Sequence, residues 1–252
     1  GMISIYLGYR QLNRINDIGQ SFFISESQFD SWINRWKEIN GFEKMLPFPR
    51  EESTASLIST EITAYSFDRV VVCDNAAIAQ MLIANNFHFE NSCAVLSITG
   101  YPESIFTTVL EMLRRNPDLK VYALHDASPS GVALVYNLRN SPDWFFNTNA
   151  VIYDLGLLPR QILSSQGVFV INSAESSQQA QQLPEEVRRD LTSEELKWLD
   201  MGNFVELESF SPQRIIRVAN QGIAKSQAPD SSDSLILIDS GADSVYVVES
   251  FG

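Results

Sequence analysis

Two apolar runs in this chain each end on an acid. Val121-Tyr122-Ala123-Leu124-His125 leads to Asp126, and Val70-Val71-Val72-Cys73 leads to Asp74. Short apolar runs rich in Val, bounded by turn residues, read as buried strands. A carboxylate at the carboxyl end of a parallel strand stands at the edge where open α/β sheets bind ligands. If both strands belong to one sheet, Asp74 and Asp126 can meet there. Two acids so placed raise the question of a bound metal ion. Directly after Asp126 comes Ser128-Pro129-Ser130-Gly131, a turn opening a helix. Ser128, Ser130 and Gly131 could present hydroxyls and backbone N–H groups to a phosphate. His125, beside Asp126, is a general base, an extra ligand or a strand-end histidine making one hydrogen bond, and the last is the preferred reading. Glu206 and Glu208 sit two apart, so on a strand they share a face. They either complete the acidic cluster or form a solvated edge, and both readings stand. Glu103 either caps the second helix of the core or approaches the site.

The elements that must position these residues follow from periodicity. Residues 67–160 alternate strand and helix patterns, with strands at about 69–74, 93–98, 120–125 and 150–153. Helical spacers between strands imply parallel βαβ units with right-handed crossovers. The expected fold class is α/β: a parallel sheet flanked by helices. Residues 1–66 form a small N-terminal α+β region. It has strand candidates at 3–7 and 22–24, a helix capped by Ser25, and another helix over 53–65. Phe29, Trp32, Ile33 and Trp36 fall at i, i+3, i+4 and i+7, read as a core stripe rather than a base-stacking platform. Residues 161–225 read as a helical extension packed on the core. Within it 173–186 is a polar mobile loop, and Thr192 with Glu195 is a capping box opening a helix through Leu196 and Leu199. Residues 226–252 read as a linker and a terminal hairpin, its strands at 235–238 and 245–248.

Bulk properties narrow the function classes. With 252 residues and 44% hydrophobic content the chain can bury a sizeable core. Gly1 before Met2 reads as a residue left by tag cleavage. Neither a membrane-length apolar run nor a secretory leader is expected, which places the protein in the cytoplasm. Cys73 and Cys93 read as buried, reduced thiols. They and the two histidines lack zinc-ligand spacing. The chain has no GxxxxGK[ST], GxGxxG or GxSxG motif, so no nucleotide fold or serine hydrolase is supported. A net charge of −13 opposes unaided duplex binding. Arg114, Arg115, Lys120, Arg139, Arg160, Arg188 and Arg189 could make a local basic patch, though each alone reads as solvated surface. A protein partner is therefore favoured over nucleic acid alone, and no membrane is implied. The oligomeric state stays open.

Asp126-Ala127-Ser128-Pro129-Ser130-Gly131 resembles the Asp-x-Asp-Pro-x-Gly signature of Toprim domains in the topoisomerase VI A subunit and its meiotic double-strand-break relatives. Thr99-Gly100-Tyr101-Pro102-Glu103 is similar to that family's Gly-x-Pro segment. Asp154-Leu155-Gly156-Leu157-Leu158-Pro159 resembles its Leu-Gly-Leu-x-Pro segment. Leu191-Thr192-Ser193-Glu194 and Phe204-Val205-Glu206-Leu207-Glu208 resemble later segments. The matches keep the family's order over 68–218. The resemblance implies a Toprim fold in which a Glu after the first strand and two Asp after the third bind Mg²⁺ for DNA cleavage or rejoining. These positions fall on Asp74, Asp126 and Ser128. Asp for Glu shortens the arm by one methylene, and Ser128 replaces a carboxylate with a weak neutral ligand. The family's nucleophilic tyrosine precedes its Toprim core, and its motif cannot be placed on residues 1–66. Tyr6 and Tyr9, near Arg10, are the nearest candidates and read as packing residues. The resemblance thus implies a degenerate, DNA-metabolism-associated module lacking strand passage. The alternative is a Mg-dependent nuclease or other phosphodiester-cleaving enzyme using Asp74 and Asp126. Whether the chain is an enzyme stays open at this point.

Overall fold

The structure, a computed structural model, describes residues 25–41, 67–165 and 167–226. The expected strands 3–7 and 22–24, the helix over 53–65, Tyr6, Tyr9 and the terminal hairpin lie outside them. Helix α1 (Glu26–Asn40) starts where expected, with Ser25 and Gln28 forming a capping box. Its aromatic stripe differs from the expectation of core. Phe29 and Trp32 are more than half exposed, and Trp36 is 39% exposed.

Four parallel strands form the main sheet: β1 (Arg69–Cys73), β2 (Ala94–Ser97), β3 (Lys120–Leu124) and β4 (Val151–Asp154). Their spatial order is β2-β1-β3-β4. Helices α2 (Ala76–Ala84), α3 (Phe87–Glu90), α4 (Phe106–Arg114), α5 (Pro129–Val132) and α6 (Leu134–Asn140) fill the crossovers. The strands are apolar at consecutive positions because both sheet faces are covered. Val71, Cys73, Tyr122 and Leu124 pack into one apolar cluster with Leu82, Phe87 and Ile215. Val70, Val72, Val121 and Ala123 pack into the other, with Leu113, Leu134 and Leu138. From β1 the chain moves outward to β2, then crosses back to place β3 on the other side of β1. The reversal makes the β1/β3 boundary a switch point, and ligand crevices open at the carboxyl ends of such strands. Asp74 and Asp126 follow those two strands.

Beyond β4 run α7 (Pro159–Leu163), β5 (Ile171–Asn172), α8 (Ala174–Gln181), α9 (Glu185–Asp190), α10 (Ser193–Asp200), β6 (Asn203–Phe204), a 3₁₀ turn (Leu207–Ser209) and α11 (Pro212–Lys225). Strands β5 and β6 pair antiparallel. The expected mobile loop over 173–186 is instead mostly helical. Ser173 caps α8 by accepting the Ser176 N–H at 3.0 Å. Ala180 and Val187 are buried, and the Arg188 guanidinium donates to the Ala180 carbonyl at 2.8 Å. A polar composition hid two short helices because much of what holds them is polar, such as the Ser177 hydroxyl donating to the Asp200 carbonyl at 2.6 Å and the Arg188–Asp200 ion pair. The Thr192–Glu195 capping box is present and opens α10. Among the described residues no helix is long and apolar enough to cross a membrane.

Candidate functional site at the carboxyl edge of the sheet

Backbone geometry at the ends of β1 and β3 draws the two acids together. The Asp74 N–H continues the ladder by donating to the Leu124 carbonyl at 3.1 Å. The Asp126 N–H then donates to Asp74 Oδ2 at 2.8 Å. Asp126 Oδ1 in turn accepts the Leu207 N–H at 2.6 Å. Ala127 and Val205 exchange two backbone hydrogen bonds, at 3.0 and 3.1 Å, as an isolated antiparallel bridge. A segment some eighty residues downstream therefore lies across the edge. Asn75 caps α2 by accepting the Ala77 N–H at 2.7 Å. Its amide donates to the Glu208 carboxylate.

The electrostatics follow from this crowding. Burial, then the Asp74 charge, push the Asp126 carboxyl up to about 8, against the pull of the Leu207 N–H. Glu208 and Glu206 add to the rise. Burial also raises Asp74, although the Asp126 N–H and His125 favour its charged form. Glu208 is raised by burial, with Glu206 and Asp74 contributing. Asp74 Oδ1 is buried and has no hydrogen-bond partner. Two close carboxylates cannot both ionise cheaply, which favours a shared proton on the pair.

His125 lies fully buried beneath the pair, and both its ring nitrogens face acceptors. Nδ1 lies 2.8 Å from the Asp126 carbonyl oxygen, and Nε2 lies 3.0 Å from Asp154 Oδ1. Satisfying both needs two N–H donors, that is, an imidazolium. Burial alone would lower its pKa, but the Asp154 charge and hydrogen bond outweigh that and place it at about 9. Burial would raise Asp154, yet His125 holds it below the usual carboxylate range. The Gly156 N–H donates to the same Asp154 oxygen at 2.8 Å. The ring is slotted between two glycines: a Cβ on Gly156 would run into the imidazole, and one on Gly131 into the Asp126 carbonyl. His125 thus makes two hydrogen bonds, not the single one expected. Neither nitrogen is left for a metal or a proton transfer. Asp154 was not among the expected site residues, because the fourth strand was expected to end at Tyr153. The signal was there, since Val151-Ile152-Tyr153 is a third apolar run ending on an acid.

The other expected residues divide. The Ser128 hydroxyl accepts the Gly131 N–H at 3.0 Å and lies 3.1 Å from Ser130 Oγ. It caps α5, a helix of only four residues, so Ser128 and Gly131 satisfy each other. Glu206 and Glu208 are not on a strand as expected. They flank Leu207 where the chain enters the 3₁₀ turn, both exposed at the rim. Glu103 is exposed in the turn before α4. Several of the basic candidates are engaged elsewhere. Arg114 donates to the Trp144 and Pro142 carbonyls. Arg188 pairs with Asp200, Arg189 with Glu185, and Arg160 with Glu195. Cys73 and Cys93 are free and buried. Burial lifts Cys93 to about 12 and Cys73 well above its ordinary value, which leaves no reactive thiolate.

A magnesium ion fits the donor set at this edge in part. The donors are hard oxygens, Asp74 offers an unpartnered one, and a cation would relieve the repulsion within the pair. Among the described residues no three His, Cys, Asp or Glu side chains already stand in ligating geometry. Asp74 and Asp126 would hold the ion, with waters and phosphate oxygens filling the remaining positions. It would supply charge neutralisation and polarise a phosphoryl oxygen.

The family model for the TOP6A/Spo11 Toprim domain, the Toprim domain of topoisomerase 6 and Spo11 proteins, matches residues 69–221. That span holds all four parallel strands, the acidic edge and most of α11. No curated protein matches the chain. With more than half of its length matched, the chain belongs to the TOP6A/Spo11 Toprim-domain family.

Proposed function

We propose that this protein is a Toprim module of DNA metabolism that recruits a divalent cation at Asp74 and Asp126 and lacks strand passage by itself. One observation carries the reading: the Asp126 N–H binds Asp74 Oδ2, so two of the three family positions meet, while Ser128 at the third is committed to a helix cap. Two carboxylates suffice for a phosphate-assisted Mg²⁺ site but give it little affinity of its own. The net charge of −13 points to a protein partner for bringing the edge to DNA. The test is the thermal midpoint against Mg²⁺ or Mn²⁺ concentration. A midpoint that rises with metal in the wild type and stays flat in Asp126→Asn supports the reading. A flat wild-type response at millimolar metal removes it.

A second reading, Mg-dependent phosphodiester cleavage, draws on the buried, unpartnered Asp74 Oδ1, which a catalytic cation would satisfy. Incubation with supercoiled and single-stranded DNA separates the two. The module reading expects intact DNA with Mg²⁺ or Mn²⁺. Metal-dependent cleavage abolished by Asp126→Asn would establish the enzyme.

A further inference from the structure

We infer that the segment Leu235–Ile238 adds to the main sheet as a further strand, along the outer edge of β4. The inference is independent of the cation reading. The sheet has two outer strands, β2 and β4, and they are covered unequally. β2 is buried at every position, whereas β4 is exposed at Val151 and Asp154 and half-buried between them. Val151 is 51% exposed, and Phe146, in the loop that enters β4, is 48% exposed. The Val151 and Leu155 N–H groups donate to the Leu119 and Ala123 carbonyls, on the β3 side. By strand alternation the Ile152 and Asp154 N–H groups point the other way, to an edge that no described strand of the main sheet covers. Such an edge is a template for one more strand, and proteins guard it with Lys, Pro or a covering segment. Val151-Ile152-Tyr153-Asp154 holds neither Lys nor Pro. The route of the chain names the covering segment. At the end of α11 the Ser226 and Tyr122 hydroxyls share a hydrogen bond at 2.7 Å. The Tyr122 ring in turn stacks on Tyr153 of β4, with centroids 5.3 Å apart. The chain therefore leaves α11 one strand away from the open edge. Residues 227–234 can span about 26 Å at about 3.3 Å per residue, several times the strand spacing of about 4.8 Å. Leu235-Ile236-Leu237-Ile238 follows at once. It is apolar at consecutive positions, the pattern of a strand covered on both faces and not of one with a wet face.

Amide hydrogen exchange of the full chain, read at Ile152 and Asp154, tests this. The proteins are wild type, Ile236→Pro, Ile238→Asp and Ile5→Pro. Ile236→Pro removes a strand N–H, and Ile238→Asp puts a charge on a face that the sheet would cover. In the wild type both amides are expected to exchange about tenfold or more slowly than in either variant, while the amides of β3 exchange alike in all. Protection absent from the wild type, or surviving both substitutions, overturns the inference. Protection lost in Ile5→Pro but kept in Ile236→Pro assigns the edge to the N-terminal segment and overturns it. Protection that vanishes on dilution of the wild type assigns the edge to a second copy and also overturns it. A photo-crosslinker gives a second measurement that needs no change in the segment itself. Cys73 and Cys93 are buried, so in Val151→Cys a benzophenone maleimide labels position 151 alone. Crosslinks within one chain to the peptide holding 235–238 support the inference. Crosslinks that never include that peptide, or that join only separate chains, overturn it.

Discussion

At the scale of single residues, Asp126 sets the stability of the edge. Its folded pKa of about 8 lies above the ordinary carboxylate value, so folding favours its protonated form. That stability is fully present below about pH 4 and is lost as pH rises through about 8. His125 acts in the same direction from a different window. Its folded pKa of about 9 exceeds the ordinary histidine value, so its contribution is complete below about pH 6.5 and is lost as pH rises through about 9. Without divalent metal, the melting midpoint of the wild type should therefore decline steadily from pH 4 to pH 9. Asp126→Asn keeps an acceptor for the Leu207 N–H but removes the charge. Its midpoint should exceed the wild type's at pH 7, with a shallower decline below pH 8, where Asp74 and Glu208, also raised by burial, still contribute. A wild-type midpoint that climbs across this range contradicts the assignment. Gly156 belongs to the same unit. Gly156→Ala forces the buried His125 ring out of its slot and should cost about 3 kcal/mol, as overpacking does. Urea denaturation measures it, and a cost under about 0.5 kcal/mol would show that the slot can yield.

Among elements, α10 shows how a local signal acquires a tertiary role. Thr192 and Glu195 were recognisable as a capping box because both bonds are local: the Glu195 N–H donates to Thr192 Oγ1 and the Thr192 N–H to Glu195 Oε2. The spacing did not show that Glu195 is completely buried and also accepts the Arg160 N–H at the start of α7 at 3.1 Å. Thr192→Ala should cost about 1 kcal/mol. Glu195→Ala removes the acceptor of two part-buried N–H donors and the ion-pair partner of Arg160, and should cost more, about 2 kcal/mol. Chemical denaturation of both variants checks the order, and a Glu195→Ala cost no larger than that of Thr192→Ala would exclude the bridging role. The α1 stripe teaches the converse. Phe29, Trp32 and Trp36 have helical spacing, yet spacing shows only that they share a face, and that face is exposed.

For the whole molecule, the charge of −13 governs encounters with DNA. Phosphate neutralisation by Lys and Arg dominates non-specific affinity, and several basic candidates are tied to carbonyls or acids. At physiological salt without divalent cation, the protein alone should not retard duplex DNA in a gel. Retardation that weakens steeply with added salt would reveal a basic surface that these pairings do not predict.

The sequence by itself determined the strands, their parallel sense and the acids at their ends. Apolar runs, turns and helical spacers act through neighbours along the chain, so their signal is local. It also sufficed for the family resemblance, carried by short segments in fixed order. Only the tertiary structure decided that β1 and β3 are adjacent, which puts Asp74 against Asp126 instead of leaving them apart along the sheet edge. It alone decided that Val205 to Glu208 close over the edge, that Ser128 turns inward as a cap, and that His125 is charged. Each of these depends on contacts between segments far apart in the chain, and no periodicity encodes which distant backbone N–H will meet a given carboxylate.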